Sequence, residues 1–170
     1  MYRLLLATTA AAFTASVAIA QAQPSAEIKA PDGKVLGQAT FRAAPSDGVL
    51  VQIQVSGLTP GWHGLHFHAK GDCSDPKFMT SGAHINHADM PHKHGLLNAE
   101  GPDMGDLPNL FAAADGTAQA QVFTGTVAWD GPAGLKDADG SALVIHANAD
   151  DGVTQPIGGA GDRVACAVIR

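Results

Sequence analysis

The chain has 170 residues, with 16 acidic against 10 basic side chains and a formal charge of −6 at pH 7. That acidic balance argues against nucleic acid or an anionic membrane surface as a partner. The length suits a single domain with a real core, and no repeat or low-complexity tail suggests a second one.

The N-terminus reads as a removable secretory signal. Met1, Tyr2 and Arg3 supply one positive charge, and an uninterrupted run of apolar or small residues follows over 4–20. Ala18-Ile19-Ala20 and Ala20-Gln21-Ala22 both satisfy the small-x-small cleavage rule. The run is too short, too rich in alanine and threonine, and too lacking in a charged stop to read as a membrane span. No cysteine near the cleavage point supports a lipid anchor. Residues 1–22 are therefore expected to be a signal peptide, and 23–170 one domain delivered to the periplasm or secreted, with no membrane attachment after cleavage. Loss of Arg3 leaves that domain one unit more acidic. Its two cysteines, Cys73 and Cys166, are expected to pair in an oxidising compartment; two free thiols or a thiolate metal site are the alternatives.

From Ser25 onward the dominant period is two. Residues 26–30 and 35–42, separated by Pro31-Asp32-Gly33, read as a hairpin. After Pro45-Ser46-Asp47-Gly48, Val51, Ile53 and Val55 alternate with Gln52 and Gln54 as a half-buried strand. Pro60-Gly61 turns the chain into a strand carrying His63, His66 and His68. Side chains alternate faces along a strand, so His66 and His68 share one face and Leu65 and Phe67 the other. Between Gly71 and Asp115 the alternation disappears, leaving a long irregular connection. Ala118, Ala120 and Val122 alternate in the next strand. Residues 142–147 follow, with His146 sharing the parity of Val144. A second irregular loop, 150–161, precedes a last strand over 163–169. No segment shows a helical period, and short strands with Gly, Pro and Asp turns point to an antiparallel sandwich or small barrel.

Four segments converge if the two long loops fold back over the outer sheet face: His66 and His68; His84 with His92 and His94; Asp103 with Asp106; and His146 with Asp150. Imidazoles with carboxylates suit copper and zinc and suit calcium or magnesium poorly. The strings HGLHFHAKGDC, SGAHIN, HG, GDLPN, VIHANADD and GGAGDRVACAVI, in this order, resemble the signature segments of the copper/zinc superoxide dismutases. The resemblance covers the chain from about Gly61 to the C-terminus, and the earlier strands fit that family's barrel.

The resemblance implies an all-β, eight-stranded antiparallel Greek-key barrel with two long functional loops. It implies that a copper ion cycling between oxidation states beside a zinc ion dismutates superoxide to oxygen and hydrogen peroxide, as antioxidant defence outside the cytoplasm. His66, His68, His84 and His146 match the copper ligands, and His84 the residue bridging both metals and carrying a proton. His94 and Asp106 match zinc ligands. Asp150 matches the carboxylate linking a copper histidine to a zinc histidine, Arg163 the arginine that orients the anion, and Cys73 with Cys166 the family disulfide. A homodimer is compatible with the resemblance. The other reading is a dismutase-like copper-binding or storage protein without turnover, which would need neither Arg163 nor a bridging His84.

The departures fall on the zinc half. Asp103 stands where the family usually has a third zinc histidine, and a carboxylate can replace it, giving His84, His94, Asp103 and Asp106. The His84-to-His94 spacing is two residues longer than the commonest form, so His92 competes with His94 as the ligand; the following Gly95 favours His94. His63, His87 and His92 are expected to be solvated loop residues.

Overall fold

In the computed structural model, residues 23–89, 91–132 and 134–170 are described; the expected signal peptide lies outside them. Eight strands run β1 Ser25–Lys29, β2 Val35–Ala43, β3 Val49–Val55, β4 Gly61–His68, β5 Asp106–Ala112, β6 Ala118–Thr124, β7 Ser141–His146 and β8 Arg163–Ile169. They form one antiparallel sheet ordered β5-β4-β7-β8-β1-β2-β3-β6. Its edge strands β5 and β6 lie against one another, so the barrel is nearly closed. The β3–β4 and β6–β7 connections each pass over two intervening strands, which is the Greek-key crossing. Among the described residues the only helical element is a 3₁₀ turn, Met79–Ser81, and no helix is long and apolar enough to cross a membrane.

The alternating residues do what their period implies. Ile28, Phe41, Ile53, Leu65, Phe67, Leu143 and Ile145 fill the barrel, each at most 1 % exposed. Strands β4 and β7 are buried on both faces, not one. The outer face of β7 holds a second apolar cluster, Ala142 and Val144 with Phe78 and Cys166, beneath the chain segment that follows β4. Loop 147–162 lies directly on β4: a Cβ at Gly64 would stand 2.8 Å from the Ala160 Cβ, so only glycine admits the loop there.

Two expectations need correction. The irregular stretch assigned to 71–115 contains a strand, β5. Its apolar residues Leu107 and Leu110 are three apart yet both buried, because β5 takes three steps from 107 to 110 where β4 takes two from 63 to 65. The bulge hides the period, and Pro108 on the exposed face disguises the strand further. His63 is not solvated. It is 1 % exposed, with Nδ1 2.6 Å from the His146 carbonyl and Nε2 2.8 Å from the Thr59 carbonyl, tying the start of β4 to the end of β7.

Candidate metal centre

Strand parity delivers the first three imidazoles. His66 and His68 project from the outer face of β4, and His146 ends the neighbouring strand β7 on the same side. His84 arrives from the loop after β4, where it bridges His68 as an isolated β-pair. One ring nitrogen from each of the four lies within 4.8 Å of the others, and all four residues are buried.

The hydrogen bonds decide which nitrogen faces inward. His66 Nε2 donates to Asp150 Oδ2 at 2.7 Å, His68 Nδ1 to the Gly82 carbonyl at 2.9 Å, and His146 Nδ1 to the Gly161 carbonyl at 3.0 Å. His84 Nδ1 faces Asp103 Oδ2 at 3.0 Å. The opposite nitrogens, His66 Nδ1 and the Nε2 atoms of His68, His84 and His146, are buried with no hydrogen-bond partner among the described residues. A buried polar atom without a partner is strongly disfavoured. Four of them pointed at one place fit a metal ion that accepts four nitrogen ligands. Burial also keeps three of these rings neutral, as metal binding requires: it depresses His68 to about 2 and His146 to about 3, and lowers His66 as well.

The adjoining half is built from charge. His84 Nδ1 and His94 Nδ1 both face a carboxylate pair: His94 Nδ1 lies 2.6 Å from Asp106 Oδ1 and 3.8 Å from Asp103 Oδ2. Asp103 and Asp106 are 4 % and 3 % exposed. Burial opposes a charge on His94, but its hydrogen bonds with Asp103, Asp106 and Asp150 outweigh it and raise His94 to about 11; Asp103 and Asp106 likewise raise His84. Burial would push Asp106 upward, yet His84 and His94 hold it well below the ordinary carboxylate range. Protons on the imidazoles thus occupy the place of a cation between buried carboxylates, and a divalent ion would displace them. Asp103 Oδ2 borders this cluster, 3.0 Å from His84 Nδ1, while the ligand atoms that lie mutually within 4.8 Å come from His66, His84, His94 and Asp106. His94 is buried in the cluster, whereas His92 is exposed.

Asp150 joins the halves, accepting from His66 Nε2 through Oδ2 while Oδ1 lies 3.2 Å from His94 Nε2. Two residues that the sequence reading left without a role hold this frame. Asn109 donates to the Asp150 carbonyl at 2.7 Å and accepts from its N–H at 2.9 Å. Gln155 grips the His94 backbone the same way, donating to its carbonyl at 2.7 Å and accepting from its N–H at 3.1 Å. Asn109 stood inside the GDLPN string; nothing in the sequence marked Gln155. His63 could have been found, because it shares the sequence parity of Leu65 and Phe67.

Cys73 and Cys166 are joined in a disulfide that fastens the loop after β4 to β8. Arg163 fastens the same loop, with Nη1 donating to the Phe78 carbonyl at 2.7 Å and Nη2 to the Gly82 carbonyl at 2.8 Å. Arg163 and His146 also line an open cavity of about 560 Å³ walled by Met79, Pro156 and Ile157. It reaches His146 from outside.

The titrations set a pH optimum for the metal-free protein. His68 and His146 stay neutral in the fold down to about 2 and about 3, whereas unfolded they take up protons near 6.5. The unfolded chain therefore binds more protons over that window, and stability falls as the pH drops through it. His94 acts on the other side: its contribution is complete below 6.5 and is lost as the pH rises through about 11. The urea midpoint of metal-free protein is expected to be highest near neutrality and lower on both sides; a midpoint that climbs steadily into acid would contradict this.

A Greek-key barrel carrying four convergent buried imidazoles, one shared with a carboxylate-rich second cluster, defines a two-metal β-barrel protein. The chain belongs to the copper/zinc superoxide dismutase family: residues 35–169 match the family model described as copper/zinc superoxide dismutase (SODC). It is 54% identical over 149 residues to the Cu-Zn superoxide dismutase of Caulobacter vibrioides, covering 86% of this chain and 84% of that one. A solved superoxide dismutase-like protein from Bacillus subtilis superposes with a TM-score of 0.81 at 31% identity, covering 86% and 97% of the two chains. The Cu/Zn superoxide dismutase from Brucella abortus superposes with a TM-score of 0.69 at 29% identity, covering 88% and 100%. The protein is accordingly an enzyme that dismutates superoxide, with copper and zinc as its cofactors. Its disulfide fits a location outside the cytoplasm.

Proposed function

We propose that copper is held by His66 through Nδ1 and by His68, His84 and His146 through Nε2, and that zinc is held by His84, His94, Asp103 and Asp106. The observation that carries this reading is the set of four buried ring nitrogens without partners. Copper there supplies the one-electron exchange by which one superoxide is oxidised to oxygen and a second, with two protons, is reduced to hydrogen peroxide. Zinc has no redox chemistry of its own, and its half of the site organises the residues around it.

The chain's own residues do the rest. Asp150 fixes the tautomers of His66 and His94 together, so neither ring can turn without disturbing the other half. His84 presents Nε2 to the copper half while Nδ1 stays aimed at Asp103 and Asp106. Nε2 is thus its one atom able to hold a proton on the reacting side. Arg163 gives the cavity a fixed positive charge beside His146, in a chain whose net charge repels anions. Arg163→Ala is expected to lower kcat/KM about tenfold or more and to flatten its dependence on ionic strength. Stopped-flow superoxide decay on protein with measured copper and zinc contents tests this; an unchanged salt dependence would remove the steering role.

The signal-like residues 1–22 support a periplasmic or secreted location for residues 23–170, with no membrane attachment once they are removed. A homodimer is the assembly proposed. The exposed Trp62 and Phe111, whose ring centres are 4.9 Å apart on β4 and β5, supply an apolar surface for a second copy. Sedimentation of the exported protein reads both the attachment and the dimer.

A further inference from the structure

Besides His63, two histidines take no part in the buried centre. His87 and His92 lie on the surface of the loop between His84 and His94, both exposed, with ring centres 4.8 Å apart. Among the four imidazoles that converge in the buried centre, the ring-centre separations include 4.8 Å for His66–His146 and 4.9 Å for His68–His84. The surface pair therefore has the spacing of rings that converge in the buried centre. The same spacing follows from coordination geometry: nitrogens about 2.0–2.1 Å from an ion put ring centres roughly 3 Å from it, and hence roughly 5 Å from each other when adjacent.

The pair is held together by its own loop. Asn86 Oδ1 accepts from the His87 N–H at 2.9 Å and from the His92 N–H at 3.0 Å, and Asn86 Nδ2 donates to the His92 carbonyl at 2.8 Å. One amide side chain thus ties the backbones of His87 and His92 together, so the rings approach without either searching for the other. His92 is also oriented. Its Nδ1 donates to the Pro102 carbonyl at 3.1 Å, which leaves the lone pair on Nε2 for a ligand. Exposed imidazoles gain little from stacking in water, so ring stacking does not by itself account for this arrangement. Asp89, exposed in the same loop, adds a hard oxygen donor nearby in the chain.

We propose that His87 and His92 form a third, surface site for a borderline divalent cation such as Cu(II), completed by water. Imidazole donors select copper, nickel and zinc over magnesium or calcium, and Cu(II) stands highest in that order. The site adjoins the zinc half at both of its chain ends: His92 precedes the ligand candidate His94 by two residues, and the Pro102 carbonyl that orients it immediately precedes Asp103. An ion bound there sits on the loop that carries the zinc ligands, while the buried rings keep their own partners. The proposal stands independently of how the buried centre is assigned.

The test is equilibrium dialysis of fully copper- and zinc-loaded protein against Cu(II) chloride, with metal content measured by mass spectrometry. Wild type is expected to take up one copper per chain more than a variant combining His87→Ala and His92→Ala, and each single substitution is expected to abolish that extra uptake. Both side chains are exposed, so the variants should retain superoxide removal and both buried metals, which checks their folding in the same sample. Electron paramagnetic resonance of the added copper in wild type is expected to show hyperfine coupling to two imidazole nitrogens. Equal uptake by wild type and the double variant, or added copper without nitrogen coupling, would overturn the proposal.

Discussion

His146→Ala is expected to lower superoxide removal by at least ~100-fold in protein offered both metals, since displacing even the outer partners of a metal ligand loses 10–100-fold in affinity or activity. The expectation follows from where the ring stands. His146 Nε2 is one of the four buried, partnerless nitrogens, and the residue lines the cavity that connects this site with solvent. Alanine leaves three nitrogens and an open position at the point of substrate entry. The substitution also removes the Nδ1 bond to the Gly161 carbonyl, a loss of about 1 kcal/mol. The barrel core of Phe41, Phe67, Leu143 and Ile145 is untouched, so the variant should fold. Copper content and superoxide decay measured on one sample separate failure to bind from failure to react. Wild-type activity in the variant would show that His146 is no ligand.

Replacing Cys73 and Cys166 together with serine is expected to destabilise the metal-free protein by up to about 4.7 kcal/mol, the chain-entropy value for a loop of about 100 residues. The cysteines are 93 residues apart, so the crosslink restricts most of the unfolded domain. A loss of that size corresponds to about 10 °C or more in Tm for a domain of this length. The loss should also be local. Phe78, Ala142, Val144 and Cys166 form a small cluster outside the barrel, and without the crosslink the loop covering it keeps the three bonds from Arg163 to Phe78, Ser81 and Gly82 as its tie to β8. Added metals should narrow the difference, because they bind only the folded form. Equal melting temperatures for wild type and the double variant would show that the loop is held without the crosslink.

Most strands were legible because an apolar residue at every second position can bury one face only as a strand. The same rule placed His66 and His68 together and gave His146 the parity to join them. It failed at β5, where a bulge puts Leu107 and Leu110 on one face at a spacing of three. His63 has the parity of Leu65 and Phe67, but a polar ring is buried only with partners, here carbonyls at Thr59 and His146. Those partners lie 4 and 83 residues away, and the distant one is invisible to any local pattern.

By itself, then, the sequence determined the strand-rich class and the pairing of the only two cysteines, which rest on a short period and on side-chain chemistry, while the histidines and carboxylates expected at the centre came from the motifs that resemble the family. Tertiary structure alone decided which nitrogen of each ring faces inward, that His94 rather than His92 enters the buried cluster, and that Asp103 stands beside Asp106. Tautomer and ligand choice are set by what occupies the opposite edge of a ring. Here those occupants are Asp150, Gly82 and Gly161, brought into place only when the loops close over the barrel.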